Sequence, residues 1–152
     1  MSLVQKDYIL RLIESLAAAV ARVRKRKEAG DLVGARRELD MAIGELLGPS
    51  ARLAPMMDSR TASQLVGDGR RVAAWATLLR EDADLLHLMG RDADAVATER
   101  RALELLLEVW LRDRELAPDA LAALEDLRTR VGAELLDAHY HEALGTVATP
   151  TT

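Results

Sequence analysis

The sequence predicts an all-α protein. Apolar residues make up 49% of its 152 residues, yet Phe is absent and only two Trp and two Tyr occur, so the core must consist mainly of Leu, Ala, Val and Ile. Leu and Ala favour helices, while Gly and Pro are confined to a few short segments. Long stretches also repeat apolar residues every three or four positions. We expect one domain over residues 1–152, built as a bundle of about six helices.

The first two helices are predicted over about residues 5–28 and 32–47, where apolar residues recur at helical spacing. Gly30 can adopt the left-handed conformation that ends a helix. Asp31 can accept hydrogen bonds from the free amides that begin the next one. Because the connection is short, the two helices should be antiparallel neighbours, and residues 5–47 should form a hairpin.

The middle of the chain is predicted to contain a loop, a short helix and a second hairpin. Residues 48–59, GPSARLAPMMDS, include two prolines and show no sustained period, which indicates a loop. A short helix is expected from about Arg60 to Val66, so that the loop and this helix occupy residues 48–67. The second hairpin covers about residues 68–115, with Gly90 at its turn. Its first helix is apolar on two sides and should pack against more than one neighbour.

A last helix is predicted over residues 118–144. Pro118 suits the first turn of a helix, and Asp119 complements its positive end. The apolar spacing continues through Gly132, so we expect one helix that is weakened there. Two helices on a shared axis are the alternative, since Gly inside a helix costs roughly 1 kcal/mol. Residues 145–152 should form a flexible tail.

The two hairpins resemble each other in sequence. A Gly is followed five residues later by Ala and seven residues after that by another Ala, a pattern that resembles the tetratricopeptide repeat. The large residue between the alanines is Leu39 in the first hairpin and Glu99 in the second, and the spacing of 60 residues exceeds the roughly 34 of that repeat. We expect the first alanines to lie where paired helices cross closely. The matched pairs are Gly30 and Gly90, Ala35 and Ala95, and Ala42 and Ala102.

A wider resemblance covers about residues 4–111. The segments QKDYILRLIE, ARRELDMAIGELLG, LLREDADLLHLMG and RALELLL are similar to those of a family of small bacterial helical proteins whose function is not characterised. This resemblance implies a bundle of tetratricopeptide-like hairpins, and it implies no activity.

Composition and charge exclude several kinds of chemistry. The chain has no Cys, so it can form no disulfide and has no thiolate nucleophile. Its net charge is −4, and its basic segment RVRKRK is not interleaved with aromatic residues, so we expect no nucleic-acid binding. No apolar stretch approaches 18 residues, and the N-terminus does not resemble a secretory signal. A soluble cytoplasmic protein without membrane contact is therefore expected.

Acidic residues at helical spacing suggest a metal site as an alternative. Glu134, Asp137 and His141 lie at i, i+3 and i+7, and Glu81 and Asp84 form another such pair. Metal-dependent hydrolases of the all-α nucleotide pyrophosphohydrolase type use similar clusters, but their adjacent glutamates are absent here. We therefore predict no catalytic residue, no metal and no cofactor, and we keep the hydrolase as the alternative function.

The preferred function is a non-enzymatic module for protein–protein interaction or scaffolding. It should bind a protein or peptide in the groove between the hairpins, or pair with itself. Trp75 and Trp110 are expected in the core, and His87 at its edge, hydrogen-bonded to Asp84. The tetratricopeptide resemblance places five side chains in the groove: Arg24, Lys27, Arg80, Asp84 and His87.

A homodimer is expected because the predicted helices carry a surplus of apolar surface. The alternative is a monomer in which the last helix and residues 48–67 cover these faces. The residues expected to remain partly uncovered are Tyr8, Leu12, Leu78, Leu85 and Leu88.

Overall fold

A computed structural model describes residues 2–147 of the chain. Within that range the protein has seven α-helices and no strand, which confirms the predicted all-α fold. Short 3-10 turns occupy residues 48–50, 54–56 and 133–135. None of the seven helices is both long enough and apolar enough to span a membrane. The helices are α1 (Leu3–Glu28), α2 (Leu32–Leu47), α3 (Ser59–Val66), α4 (Gly69–Leu88), α5 (Asp92–Asp113), α6 (Pro118–Arg130) and α7 (Ala138–Thr146).

Both predicted hairpins turn at a glycine with a positive φ angle. The angle is +81° at Gly30 and +76° at Gly90. Other residues adopt this left-handed conformation only at a cost of roughly 1–2 kcal/mol, which explains a glycine at both turns. The amide of Gly30 donates to the carbonyl of Lys27, and that of Gly90 to the carbonyl of His87, each at 3.0 Å. The predicted pairing of α1 with α2 is confirmed, and α4 pairs with α5 in the same way.

Aspartates cap three of the helices at their N-termini. A side-chain oxygen of Asp31 accepts a hydrogen bond from the amide of Gly34 at 2.9 Å, as the sequence predicted for the start of α2. Asp58 and Asp68 cap α3 and α4 in the same manner. The bond from Gly34 holds the pKa of Asp31 below its ordinary value. Caps of this kind satisfy backbone amides at the start of a helix that have no partner within it.

One apolar cluster joins side chains from all seven helices. α4 lies at its centre and contacts α1, α2, α3, α5 and α6, while α5 also contacts α3, α6 and α7. Ala35 and Ala95 are fully buried, as expected for small residues at close helix crossings. Among the largest buried side chains are Trp75, Leu39, Leu46, Leu78, Leu85, Leu103, Leu106, Leu124 and Leu127.

The predicted continuous helix over residues 118–144 is wrong. α6 ends at Arg130, because Val131 (φ −91°, ψ 119°) and Gly132 (φ −64°, ψ 141°) are extended. The apolar spacing that continues through Gly132 belongs to two separate helices, α6 and α7, with a turn between them. This break allows α7 to pack against α5, where the hydroxyl of Tyr140 donates to Glu108 at 3.0 Å. α7 continues past residue 145 to Thr146, and residues 148–152 of the predicted tail lie outside the described residues.

Candidate functional site

Two buried acidic residues of α4 connect it to the first hairpin. Glu81 accepts a hydrogen bond from Arg24 of α1 at 2.7 Å, and Asp82 accepts one from Arg36 of α2 at 2.8 Å. Glu81 is 5% and Asp82 is 8% exposed, so both carboxylates have lost most of their contact with water. A buried charge requires a partner, and the two arginines supply it. The same bonds raise the pKa of both arginines above its ordinary value.

A second polar cluster surrounds Glu99 of α5, which is only 4% exposed. One oxygen of Glu99 lies 3.4 Å from Arg130, and the other lies 3.0 Å from Nε2 of His87. Arg130 also donates to Asp84 at 2.6 Å and lies 3.1 Å from Asp126. The last residue of α6 therefore joins carboxylates from three helices, α4, α5 and α6.

His87 connects the end of α4 to α5. Its Nδ1 lies 3.0 Å from Asp92, and its Nε2 lies 3.0 Å from Glu99. Hydrogen bonds to Asp92 and then to Glu99 raise the pKa of His87 above 6.5. The expected hydrogen bond between His87 and Asp84 is absent among the described contacts, because both ring nitrogens of His87 are paired with other carboxylates.

Four of the five predicted groove residues take part in contacts within the chain. Arg24, Asp84 and His87 have the partners given above, and Arg80 lies 3.4 Å from Asp126. Lys27 is half-buried near the end of α1. A partner in this groove would have to compete with these existing pairs. Groove binding stays a prediction.

The acidic residues of the alternative metal site are separated by the break in the last helix. Glu134 lies in the 3-10 turn, Asp137 precedes α7, and His141 lies within it, so they do not share a helix face. Glu81 and Asp84 are each bound by an arginine. Across residues 2–147, no three His, Asp or Glu side chains form a group that could hold a metal ion.

Arg101, which the sequence did not single out, attaches the loop before α3 to α5. It donates to the Ser59 hydroxyl at 3.1 Å and to the Ala54 carbonyl at 2.9 Å. Its guanidinium lies 5.5 Å from the centre of the Trp75 ring, and burial lowers the pKa of Arg101. Trp75 is 2% exposed, as expected of a core residue, whereas Trp110 is half-buried.

A cavity of about 290 Å³ lies beside Arg101. Arg101 already bonds to the protein itself, and Arg100, which also lines the cavity, lies 3.7 Å from Glu104. Small-molecule sites usually present a few polar groups that are free to fix a ligand. This cavity is therefore a weak candidate for a ligand site. Its lining residues are Pro55, Leu79, Ala97, Thr98, Arg100, Arg101 and Glu104.

The first half of α1 has several exposed apolar side chains. Leu3 is 79%, Val4 78%, Tyr8 60% and Leu10 44% exposed, and Ile9 is the single buried residue between positions 3 and 15. α1 has 26 residues and α2 has 16, so the antiparallel α2 is too short to cover the start of α1. Leu78 and Leu85 were expected to remain partly uncovered and to contact a second copy, but neighbouring helices bury both. Tyr8 and Leu88 are exposed, and Leu12 is half-buried.

No protein-family model, curated protein or solved structure matches this chain.

Proposed function

We propose that this protein is a non-enzymatic helical module of the cytoplasm that binds another protein chain through the first half of α1. One observation supports this most strongly: Leu3, Val4, Tyr8 and Leu10 are all exposed on a single helix. Leu3 and Leu10 lie on one side of the helix and Val4 and Tyr8 on another, all within two turns. Exposed apolar side chains that lie this close together commonly mark protein interfaces. We define residues 3–17 as the α1 surface.

The polar groove is a less favourable place for a partner. Arg24, Arg80, Asp84 and His87 already satisfy their charges within the chain. A partner that bound there would have to replace these contacts before it gained any of its own. The α1 surface requires no such exchange, because a partner that bound there would displace only water from the exposed apolar side chains.

The alternative function, a metal-dependent hydrolase, makes a separate prediction. A divalent ion that binds only the folded state must raise the melting temperature. If the protein is such a hydrolase, Mg²⁺ or Mn²⁺ should raise its melting temperature. If it is an interaction module, neither ion should change the melting temperature. A melting curve recorded with and without each ion distinguishes the two functions.

Photo-crosslinking in extracts of the native host tests the proposed function. A photoreactive amino acid at Tyr8 should form adducts with protein, either a copy of this chain or another protein. The same group at Met41, which is 63% exposed on α2, provides the matched control. Equal labelling at the two positions, or none at Tyr8, would contradict the role of the α1 surface.

A further inference from the structure

His87 has a carboxylate at each of its two ring nitrogens. Nδ1 lies 3.0 Å from Asp92, and Nε2 lies 3.0 Å from Glu99. A neutral imidazole has a single N–H, so it can donate to one of these oxygens and must turn the lone pair of its other nitrogen toward the second. Only the protonated ring donates to both. The geometry therefore fits the protonated ring, and one of the two contacts must weaken when the ring loses a proton.

The exposure of the two carboxylates determines which contact weakens. The side chain of Asp92 is 75% exposed, whereas that of Glu99 is 5% exposed. Asp92 can therefore turn away from a neutral ring and be solvated by water. Glu99 has no such exchange, because a buried carboxylate depends on hydrogen bonds within the protein. The proton that leaves the ring is therefore the one on Nδ1.

We infer that His87 forms a pH-dependent link across the turn of the second hairpin. When the ring is protonated, Nδ1 donates to Asp92, the first residue of α5, and so connects the two ends of the turn. When Nδ1 loses its proton, Asp92 is released and the turn opens more often, while Nε2 continues to donate to Glu99. The link goes beyond the proposed function and needs no partner at the α1 surface.

The other charged groups around His87 are held in pairs. Arg130 of α6 lies 3.4 Å from the second oxygen of Glu99, so this carboxylate keeps a positive neighbour when His87 becomes neutral. Histidine is the side chain that normally changes its charge between about pH 5 and 8. The hydrogen bonds to Asp92 and then to Glu99 raise the pKa of His87, which moves the release of the proton to higher pH. The remaining pairs are Arg130 with Asp84 and Asp126, Arg80 with Asp126, Arg91 with Asp94, Arg24 with Glu81, and Arg36 with Asp82.

The first hairpin has the same backbone turn without the link. The turns at Gly30 and Gly90 share their pattern of backbone hydrogen bonds, with amides that donate to carbonyls three and five residues back. Side chains that cannot form the link occupy the matching positions of the first hairpin. They are Lys27 in place of His87, Leu32 in place of Asp92, and Leu39 in place of Glu99. The first turn is therefore an internal control for any general effect of pH on the fold.

Amide hydrogen exchange at about pH 6 and about pH 9 tests the link. Each exchange rate is compared with that of an unstructured peptide at the same pH, which gives a protection factor. The protection of the Gly90 and Arg91 amides should fall by about 1.5- to 5-fold at the higher pH, as expected for the loss of one exposed ion pair. The protection of the Gly30 and Asp31 amides should stay the same. An equal change at both turns, or no change at the second turn, overturns the inference.

Two alanine variants separate the link from a general effect of acidic residues at the start of α5. Asp92→Ala removes the acceptor at Nδ1, so the protection of the second turn should no longer depend on pH. Asp94→Ala is the matched control, because Asp94 is 59% exposed and pairs with Arg91 rather than with His87. This variant should keep the pH response of the unchanged protein. A pH response that persists in Asp92→Ala overturns the inference.

Nitrogen-15 NMR of the imidazole identifies which nitrogen keeps its hydrogen. At about pH 9 the ring of His87 should be neutral, with its hydrogen on Nε2. At about pH 6 both nitrogens should carry hydrogen. A neutral ring with its hydrogen on Nδ1 would mean that Glu99 is released instead of Asp92, and that result overturns the inference.

Discussion

The hairpins α1–α2 and α4–α5 turn at glycines 60 residues apart and use the same backbone hydrogen bonds. In the first turn the amide of Asp31 donates to the carbonyl of Arg26, and in the second the amide of Arg91 donates to the carbonyl of Leu86, each at 2.9 Å. The surroundings of the hairpins are different. α4 contacts five other helices, whereas α1 packs mainly against α2 and α4. The same local turn therefore serves a hairpin at the centre of the bundle and one at its edge.

The position between the two matched alanines in the second helix of each hairpin shows how the surroundings of the hairpins differ. Leu39 is 1% exposed and belongs to the apolar core, while Glu99 at the matching place is 4% exposed and charged. Glu99 is accommodated because Arg130 of α6 and His87 of α4 reach it. The central hairpin thus buries an acid where its neighbours supply positive groups, and the edge hairpin buries a leucine.

The largest loss of stability is expected when Leu39, the apolar residue of this pair, is replaced. Leu39→Ala should lower the free energy of unfolding by about 2–5 kcal/mol, because a fully buried leucine leaves a cavity. Urea denaturation measures this loss. Val33→Ala, at a residue of α2 that is 63% exposed, should change the stability by no more than about 0.5 kcal/mol. Similar values for the two variants would show that the edge hairpin is loosely packed.

The close crossings of both hairpins can be tested by enlarging their alanines. Ala35→Leu and Ala95→Leu should each cost about 1–3 kcal/mol, because both residues are 0% exposed and a leucine would force the paired helices apart. Thermal melting gives the comparison, with the exposed Ala97→Leu of α5 as control. A cost in only one hairpin would mean that the two crossings are not equivalent.

The two turns should respond equally to loss of their glycines. Gly30→Ala and Gly90→Ala should each cost about 1–2 kcal/mol because of their positive φ angles. No atom lies within 4 Å of an added Cβ at either position, so sterics should add nothing. Gly44→Ala, inside α2 and equally open, should instead stabilise by up to about 1 kcal/mol. Unequal losses at Gly30 and Gly90 would show that the turns differ in strain.

The smallest loss of stability should come from replacing His87, and its size should depend on pH. The raised pKa means that the folded state favours protonated His87, so its stabilisation is complete below about pH 6.5 and is lost as pH rises through the raised value. His87→Gln should therefore lower the melting temperature more at about pH 6 than at about pH 9. The side chain is 39% exposed, which keeps the effect modest. Met41→Gln, which removes no ionisable group from the exposed side of α2, should show no such change over this range.

Much of the helical organisation followed from local sequence. The glycine turns and the Asp31 cap were recognisable because a positive φ angle and a capping hydrogen bond involve residues within one or two turns of each other. The break after Arg130 was missed, since the apolar spacing continues through Gly132 and was given more weight than the cost of a glycine inside a helix. Packing of α7 on α5 required the break, and no pattern within residues 118–144 contains that contact.

The sequence by itself determined that the chain is helical, where its two hairpins turn, and that Ala35 and Ala95 are buried. These features depend on backbone preferences and on one helix face at a time. Tertiary structure alone decided that Glu81, Asp82 and Glu99 are buried against arginines from distant parts of the chain, and that the start of α1 remains uncovered. Both outcomes depend on which helices become neighbours and how long each one is. A charged residue in the sequence therefore does not show whether water or another side chain satisfies it.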